Sequence, residues 1–322
     1  MKMSFLFGVV VVAVLSGLSG AAVTTHREFQ AVNANGEQTY VSTTKATLEG
    51  ILLSNPADML DPTPDDSVTE MFNMAGQWQI FFQGEGGDHA GTAVWMGQLY
   101  NNLPWVAPDG GYLNDEWVAE MTRLSAAQFS VGDRIRVTGR FLSYKGKLNI
   151  NEQHSTSSDN DFTVELVEAG VGLPKPESVT LDDLKDDLDQ FIFDPVRQQG
   201  GEYYQGRLIK IVDVNMVAPN GWGPHGELTI TDGVKTLPVK LGRGTGIYAG
   251  SYNLTEPFDI IGILDQDSTS LTDGYRLYVM NYDGNGHVLA APEYRLADLV
   301  QTPDPNETMD STIEEEFPDD AS

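Results

Sequence analysis

Val137-Thr138-Gly139-Arg140-Phe141 and Ile260-Ile261-Gly262-Ile263-Leu264 set a glycine at the centre of two β-rich stretches in opposite halves of the chain. A second pair, Leu48-Glu49-Gly50-Ile51-Leu52 and Tyr204-Gln205-Gly206-Arg207-Leu208, precedes them in the same order. Glycine inside a strand costs stability unless the strand must bulge or bend there. A small barrel demands such bends, because one long strand has to pair in two sheets at once. The two halves are therefore expected to be weak copies of one unit, each a small barrel bent at its glycines. Chance similarity among β-rich segments is the competing reading. The longer spacing in the first half fits two insertions, around Asn55–Met74 and Asn101–Ala127.

Working outward, the first half offers strands at Ala46–Ser54, Gln77–Gln83, Thr92–Tyr100, Arg134–Tyr144, Lys147–Asn151 and Phe162–Val167. A helix is expected over Asn114–Ala127, where Trp117, Met121 and Leu124 recur at helical spacing and Asn114 or Asp115 can cap. The second half offers Tyr203–Val214, Glu227–Thr231, Thr236–Leu241, Phe258–Leu264 and Tyr275–Asn281, punctuated by Asp-Gly turns. Between them, residues 171–200 read as a connector. Pro174 and Pro176 open it, Thr180 and Asp183 suit a capping box, and Leu181, Leu184, Leu188 and Phe191 form an apolar stripe. The expected domains are 40–170 and 201–296.

Strands with an apolar-x-Gly pattern in the first and fourth positions, and a helix between the third and fourth, resemble an OB-fold. The stretch Leu173–Thr180 followed by Gly201–Lys210 is similar to the OB-like modules of bacterial extracellular nucleases and related secreted proteins. Phe129-Ser-Val-Gly-Asp-Arg-Ile-Arg-Val-Thr-Gly139 looks like the fourth strand of the same modules. The resemblance covers roughly residues 40–295. It implies an all-β fold with minor helix, two small OB-like Greek-key barrels in tandem, usually as accessory parts beside a catalytic domain. No nuclease domain follows here, so the resemblance implies a fold and not an activity.

The chain has 322 residues, 19 Lys+Arg against 47 Asp+Glu, a formal net charge of −28 and no cysteine. Disulfides, thiol catalysis and Cys-ligated metals are thereby excluded. So acidic a chain is also a poor general binder of DNA or anionic membranes, which need clustered cations. Lys2, the apolar run Phe5–Leu15 and the small residues up to Ala22 read as a signal peptide over 1–22, which implies a secreted protein, extracellular or periplasmic, with no stable membrane span when mature. Thr302–Ser322 carries eight carboxylates and no cation and reads as a disordered acidic tail.

Motifs for chemistry are sparse. No His-Glu-x-x-His pair occurs, and the one stretch like Gly-x-Ser-x-Gly lies in the signal peptide, so no catalytic residue is assigned. The five histidines, His26, His89, His154, His225 and His287, are scattered and read as solvated. Gly242–Gly246 follows a strand, but no helical pattern follows it, so it reads as a turn and not a phosphate cradle. Asn281, Asp283 and Asn285 resemble the opening of an EF-type calcium loop, making calcium the one conceivable cofactor. Pro292 stands where its bidentate Glu belongs, and a hairpin turn is the plainer reading. Arg134, Arg136, Arg140, Lys145 and Lys147 form the one basic cluster, three of them on one strand face, with Trp95 among the aromatics able to stack a base or sugar. A solvated strand face is the bland alternative. The expectation is a non-catalytic secreted binding or scaffold protein. The alternative is an accessory protein that binds single-stranded nucleic acid or oligosaccharide through the hairpin joining strands four and five.

Overall fold

The alternation in Gln77–Gln83 turns Trp78, Ile80 and Phe82 to one side and Gln77 and Gln79 to the other. The same two-residue period runs through each strand of the first barrel. The computed structural model describes residues 22–106, 110–125, 129–217, 221–248, 257–282 and 288–290. The first half contains α1 (His26–Phe29), β1 (Ala46–Leu52), α2 (Pro56–Met59), β2 (Gln77–Gln83), β3 (Gly91–Gly97), a single 3-10 turn (Tyr100–Asn102), α3 (Asn114–Ser125), β4 (Arg134–Gly139), β5 (Phe141–Tyr144), β6 (Lys147–Asn151) and β7 (Thr163–Glu168). Strands β1, β2 and β3 form an antiparallel meander, and β3 pairs parallel with β6. Only Arg140 separates β4 from β5, so the two are halves of one bent strand. The first half pairs with β1 and the second with β6, which closes the ring.

The second half contains β8 (Glu177–Ser178), α4 (Leu181–Leu184), α5 (Gly200–Tyr204), β9 (Leu208–Val217), β10 (Glu227–Thr231), β11 (Thr236–Leu241), α6 (Thr245–Tyr248), β12 (Phe258–Gln266), β13 (Tyr275–Val279), β14 (Asn281–Tyr282) and β15 (Val288–Ala290). Its ring is the same. Antiparallel β9, β10 and β11 are followed by β13, parallel to β11, and β12 returns to β9. Two rings with this strand order are OB-like barrels, so the fold is all-β with minor helix, as the resemblance implied.

Gly139 lies opposite Ala46 at the start of β1, and Gly262 lies opposite Ile209 near the start of β9. The two are equivalent, and a side chain at either would collide, with Ile150 and Phe162 at the first and Leu277 at the second. Gly50 is inside β1. Gly206 corrects the pattern. It sits before β9 with φ +75, because the chain from 200 to 204 is a turn of helix and the strand expected from Tyr203 begins only at Leu208.

Three further expectations change. The connector helix spans only Leu181–Leu184; Thr180 and Asp183 make the capping box, but Leu188 is 79% exposed and outside the stripe. Its neighbours Leu181 and Leu184 join the second core. The chain after Gly242–Gly244 does turn helical, as α6. His26 is fully buried and not solvated. Its helix, with Phe29 in the first core, precedes residue 40. Residues 1–21, Asp283, Asn285, His287 and the tail 302–322 lie outside the described residues. No described helix is long and apolar enough to cross a membrane.

A third apolar cluster joins the barrels: Leu53, Met59, Phe81 and Ala93 from the first meet Leu208, Ile263, Tyr278 and Met280 from the second. Gly91 and Gly206 touch backbone to backbone, and Gly91 N donates to Gln205 O at 3.1 Å. Leu208 N donates to Gln83 Oε1 at 2.9 Å, and the Tyr278 hydroxyl donates to Met59 O at 2.8 Å.

Candidate functional site

The outer face of β2, β3, β6 and β5 turns toward the second barrel and leaves a cleft of about 1150 Å³. Register builds its floor. Gln79 lies opposite Trp95 on β3, and Trp95 lies beside Asn151 on β6, so amide, indole and amide stand in one row across three strands. Asn151 Nδ2 donates to Asn149 Oδ1 at 2.6 Å. Its own oxygen accepts from the Gln153 backbone N at 2.6 Å. This contact holds a turn in which Gln153 and His154 both have left-handed backbone, φ +54 and +55. The His154 ring meets Trp95 edge-on at 5.5 Å, and burial lowers its pKa. The second barrel supplies the facing wall, including His225, Glu227, Lys240, Arg276 and Tyr278.

The cations of the cleft are paired. Lys147 meets Asp265 at 2.6 Å, Arg276 meets Asp265 at 3.1 Å and Asp267 at 2.8 Å, and Lys240 meets Glu227 at 3.1 Å. Burial holds His225 below its usual range, and Arg243 adds to the effect.

The basic cluster is not the open anion-binding surface its sequence suggested. Arg134 bridges Glu85, at 2.6 Å, and Glu168. Arg136 bridges Glu49, at 2.6 Å, and Glu165, at 3.5 Å. Arg140 occupies the bend between β4 and β5, and its Nε has no hydrogen-bond partner among the described residues. Lys145 contacts Asp267 at 2.6 Å, and that hydrogen bond raises its pKa. Lys147 Nζ donates to Gln266 O at 2.5 Å and is buried. The hairpin between strands four and five is thus spent on the seam with the second barrel, a use no pattern in one strand can reveal. Asn281, the one described residue of the calcium motif, accepts from Gly246 N at 2.8 Å. Trp95 alone of the named site residues lies on the cleft floor away from the ion pairs; Lys147 lines its edge.

Sequence reading missed Glu152. It is fully buried, and its Oε2 accepts from the hydroxyls of Tyr100 and Tyr112, both at 2.8 Å. Burial raises its carboxyl pKa to about 7. Carboxylate oxygens of Glu120, Glu152 and Asp161 lie within 4.8 Å of one another, a spacing that a metal would tolerate. Arg123 already occupies the group, at 2.7 Å from Glu120 and 3.9 Å from Glu152. The cluster is an ion network that ties α3 to the end of β6. His26, expected to be solvated, is held inside the first barrel. Its ring contacts Thr92 Oγ1 at 2.8 Å and Glu49 O at 3.0 Å, and burial lowers its pKa to about 4.

No protein-family model matches the chain, and no curated protein matches it. Among solved structures, a murine DNA-binding protein bound with double-stranded DNA is similar at 11% identity, over 72% of this chain and 93% of that one, with a TM-score of 0.31. A HINa domain in complex with double-stranded DNA is similar at 14% identity, over 62% of this chain and 76% of that one, with a TM-score of 0.25. The fold assignment rests on strand order, not on these likenesses.

Proposed function

We propose that the protein is an exported, non-catalytic binding protein that holds its ligand in the cleft between its two OB-like barrels. The observation that carries this reading is the cleft itself, a concavity of about 1150 Å³ walled by two barrels whose relative position a buried apolar seam fixes. Binding sites are concave and preferentially lie where two domains meet, and this one sets carboxamides and ion pairs beside Phe72, Trp95 and Trp105. A non-catalytic reading is supported by the sequence, in which no His-Glu-x-x-His pair occurs and the one stretch like Gly-x-Ser-x-Gly lies in the leader-like segment. Export is supported by the leader-like N-terminus.

The test is a screen of the purified chain against arrayed glycans and oligonucleotides, repeated with Trp105→Ala. Trp105 lines the cleft and is exposed, so its removal leaves the cores intact. A captured ligand that is lost with Trp105→Ala supports the reading. Capture unaffected by that change, or no capture at all, refutes it.

A further inference from the structure

Resting on the cleft reading, we propose that its ligand is an uncharged, polyhydroxylated chain, an oligosaccharide, gripped by an aromatic wall that the two insertions of the first barrel build. The wall stands outside the strands of the first barrel. Phe72 comes from the segment between β1 and β2, and Trp105 from the segment between β3 and α3. Their rings lie 5.6 Å apart, centre to centre, at the rim of the cleft.

Both rings face water, Phe72 58% exposed and Trp105 65%. The two segments are stitched together beneath them. Phe72 N donates to Asn102 O at 3.0 Å, and Asn102 Nδ2 donates to Asn73 O at 3.0 Å. Phe72 pays for its position with a φ of +67, a conformation that bulky residues rarely adopt. A large apolar ring held in strained backbone and left in water does nothing for the fold, and such strain gathers at ligand clamps.

Opposite the wall, the floor is made of carboxamides around Trp95. An amide offers both donors and an acceptor, which matches a hydroxyl that also does both. The adjoining Gln153–His154 turn has the same strained backbone, and His154 Nδ1 is buried with no hydrogen-bond partner among the described residues. It is a polar atom waiting for a partner at the cleft edge.

Charge selects against a polyanion. Each lysine and arginine lining the cleft already faces a carboxylate, and the lining carboxylates Asp61, Glu227, Asp265 and Asp267 outnumber Lys147, Lys240 and Arg276. The formal net charge of −28 adds a general repulsion of phosphate chains, strongest at low salt. A volume of about 1150 Å³ leaves room for a chain of several rings.

The experiment titrates the full chain, by calorimetry and tryptophan fluorescence, with β-linked hexasaccharides of glucose, N-acetylglucosamine and mannose. A thymidine homo-oligomer about a dozen nucleotides long is titrated in parallel, enough to span one OB site. Each titration is run at low and high salt. We expect at least one hexasaccharide to bind with no dependence on salt, and Trp105→Ala and Gln79→Ala each to weaken it about 10-fold or more. If the thymidine oligomer binds more tightly, weakens with salt and is lost in Trp105→Ala, the ligand class is wrong and the cleft reading stands. If no probe responds to Trp105→Ala, both fall.

Discussion

Replacing Glu152 by glutamine tests the buried network directly. The carboxyl titrates near 7 in the fold, against 4.5 in a solvated chain, because burial disfavours its charge. The unfolded chain therefore ionises from about pH 4.5 upward, while the folded chain keeps the proton until about pH 7. The group's contribution to stability is complete below pH 4.5, declines as the pH rises through that interval, and is flat above it. At about 1.4 kcal/mol per pH unit the decline amounts to about 3 kcal/mol. His26 runs the other way. Its folded pKa near 4 lies below its ordinary 6.5, so its contribution is complete above pH 6.5 and is lost as the pH falls toward 4. Between about pH 4.5 and 6.5 the two slopes oppose each other, and the parent protein is flatter than either group alone would make it. Glutamine keeps an oxygen for the Tyr100 and Tyr112 hydroxyls and places an amide toward Glu120 and Asp161. Urea unfolding from pH 4.5 to 8 should show Glu152→Gln close to the parent at the acid end and about 2–3 kcal/mol more stable at pH 8. It should also expose a descending limb from His26 on acidification. Curves for parent and variant that run parallel across the whole range would refute the argument.

Gly91→Ala puts a methyl group into the Gly206 backbone, so we expect a loss of about 2 kcal/mol or more, read by urea unfolding against the parent. Lys147→Met removes one partner of a buried pair and leaves Asp265 facing Arg276 alone; unfolding should register about 3 kcal/mol of destabilisation. Arg136→Glu reverses a charge on the exposed strand face, away from the cleft. Its pairs with Glu49 and Glu165 are surface contacts, so stability should fall by about 1 kcal/mol or less, and titration should show cleft affinity unchanged.

The parts of the fold that were legible are those set by local alternation. Strands β2, β6, β10 and β11 run over the residues expected from sequence, because β6, β10 and β11 alternate between apolar and polar positions throughout and β2 does so up to Ile80, before Phe81 turns to the seam. The cap of α4 was equally visible in Thr180 and Asp183. Its length was not, because Leu188 fits a helical stripe in sequence but has no surface to cover in the fold. The pairing of Arg134 and Arg136 was hidden for a different reason. Their carboxylate partners arrive from β1, β7 and the β2–β3 loop, through registers that no single strand specifies. His26 is buried because Asp88, sixty-two positions away, accepts the backbone N–H groups of His26 and Arg27 and pins α1 on the first barrel. The cleft floor had a signal. Gln77, Gln79, Asn149 and Asn151 fall on the outward positions of strands whose inward positions are apolar. What turned that polar face into a concavity was the second barrel, which sequence alone did not place opposite it.

The seam between the barrels has a consequence for anyone dissecting the molecule. Cutting the chain near residue 171 would strip cover from Phe81 and Met59 on one fragment and from Leu208, Ile263, Tyr278 and Met280 on the other. Each piece would present a greasy scar and half a hydrogen-bonded edge. Neither half should be expected to stay soluble alone, and co-expressed halves should find each other again.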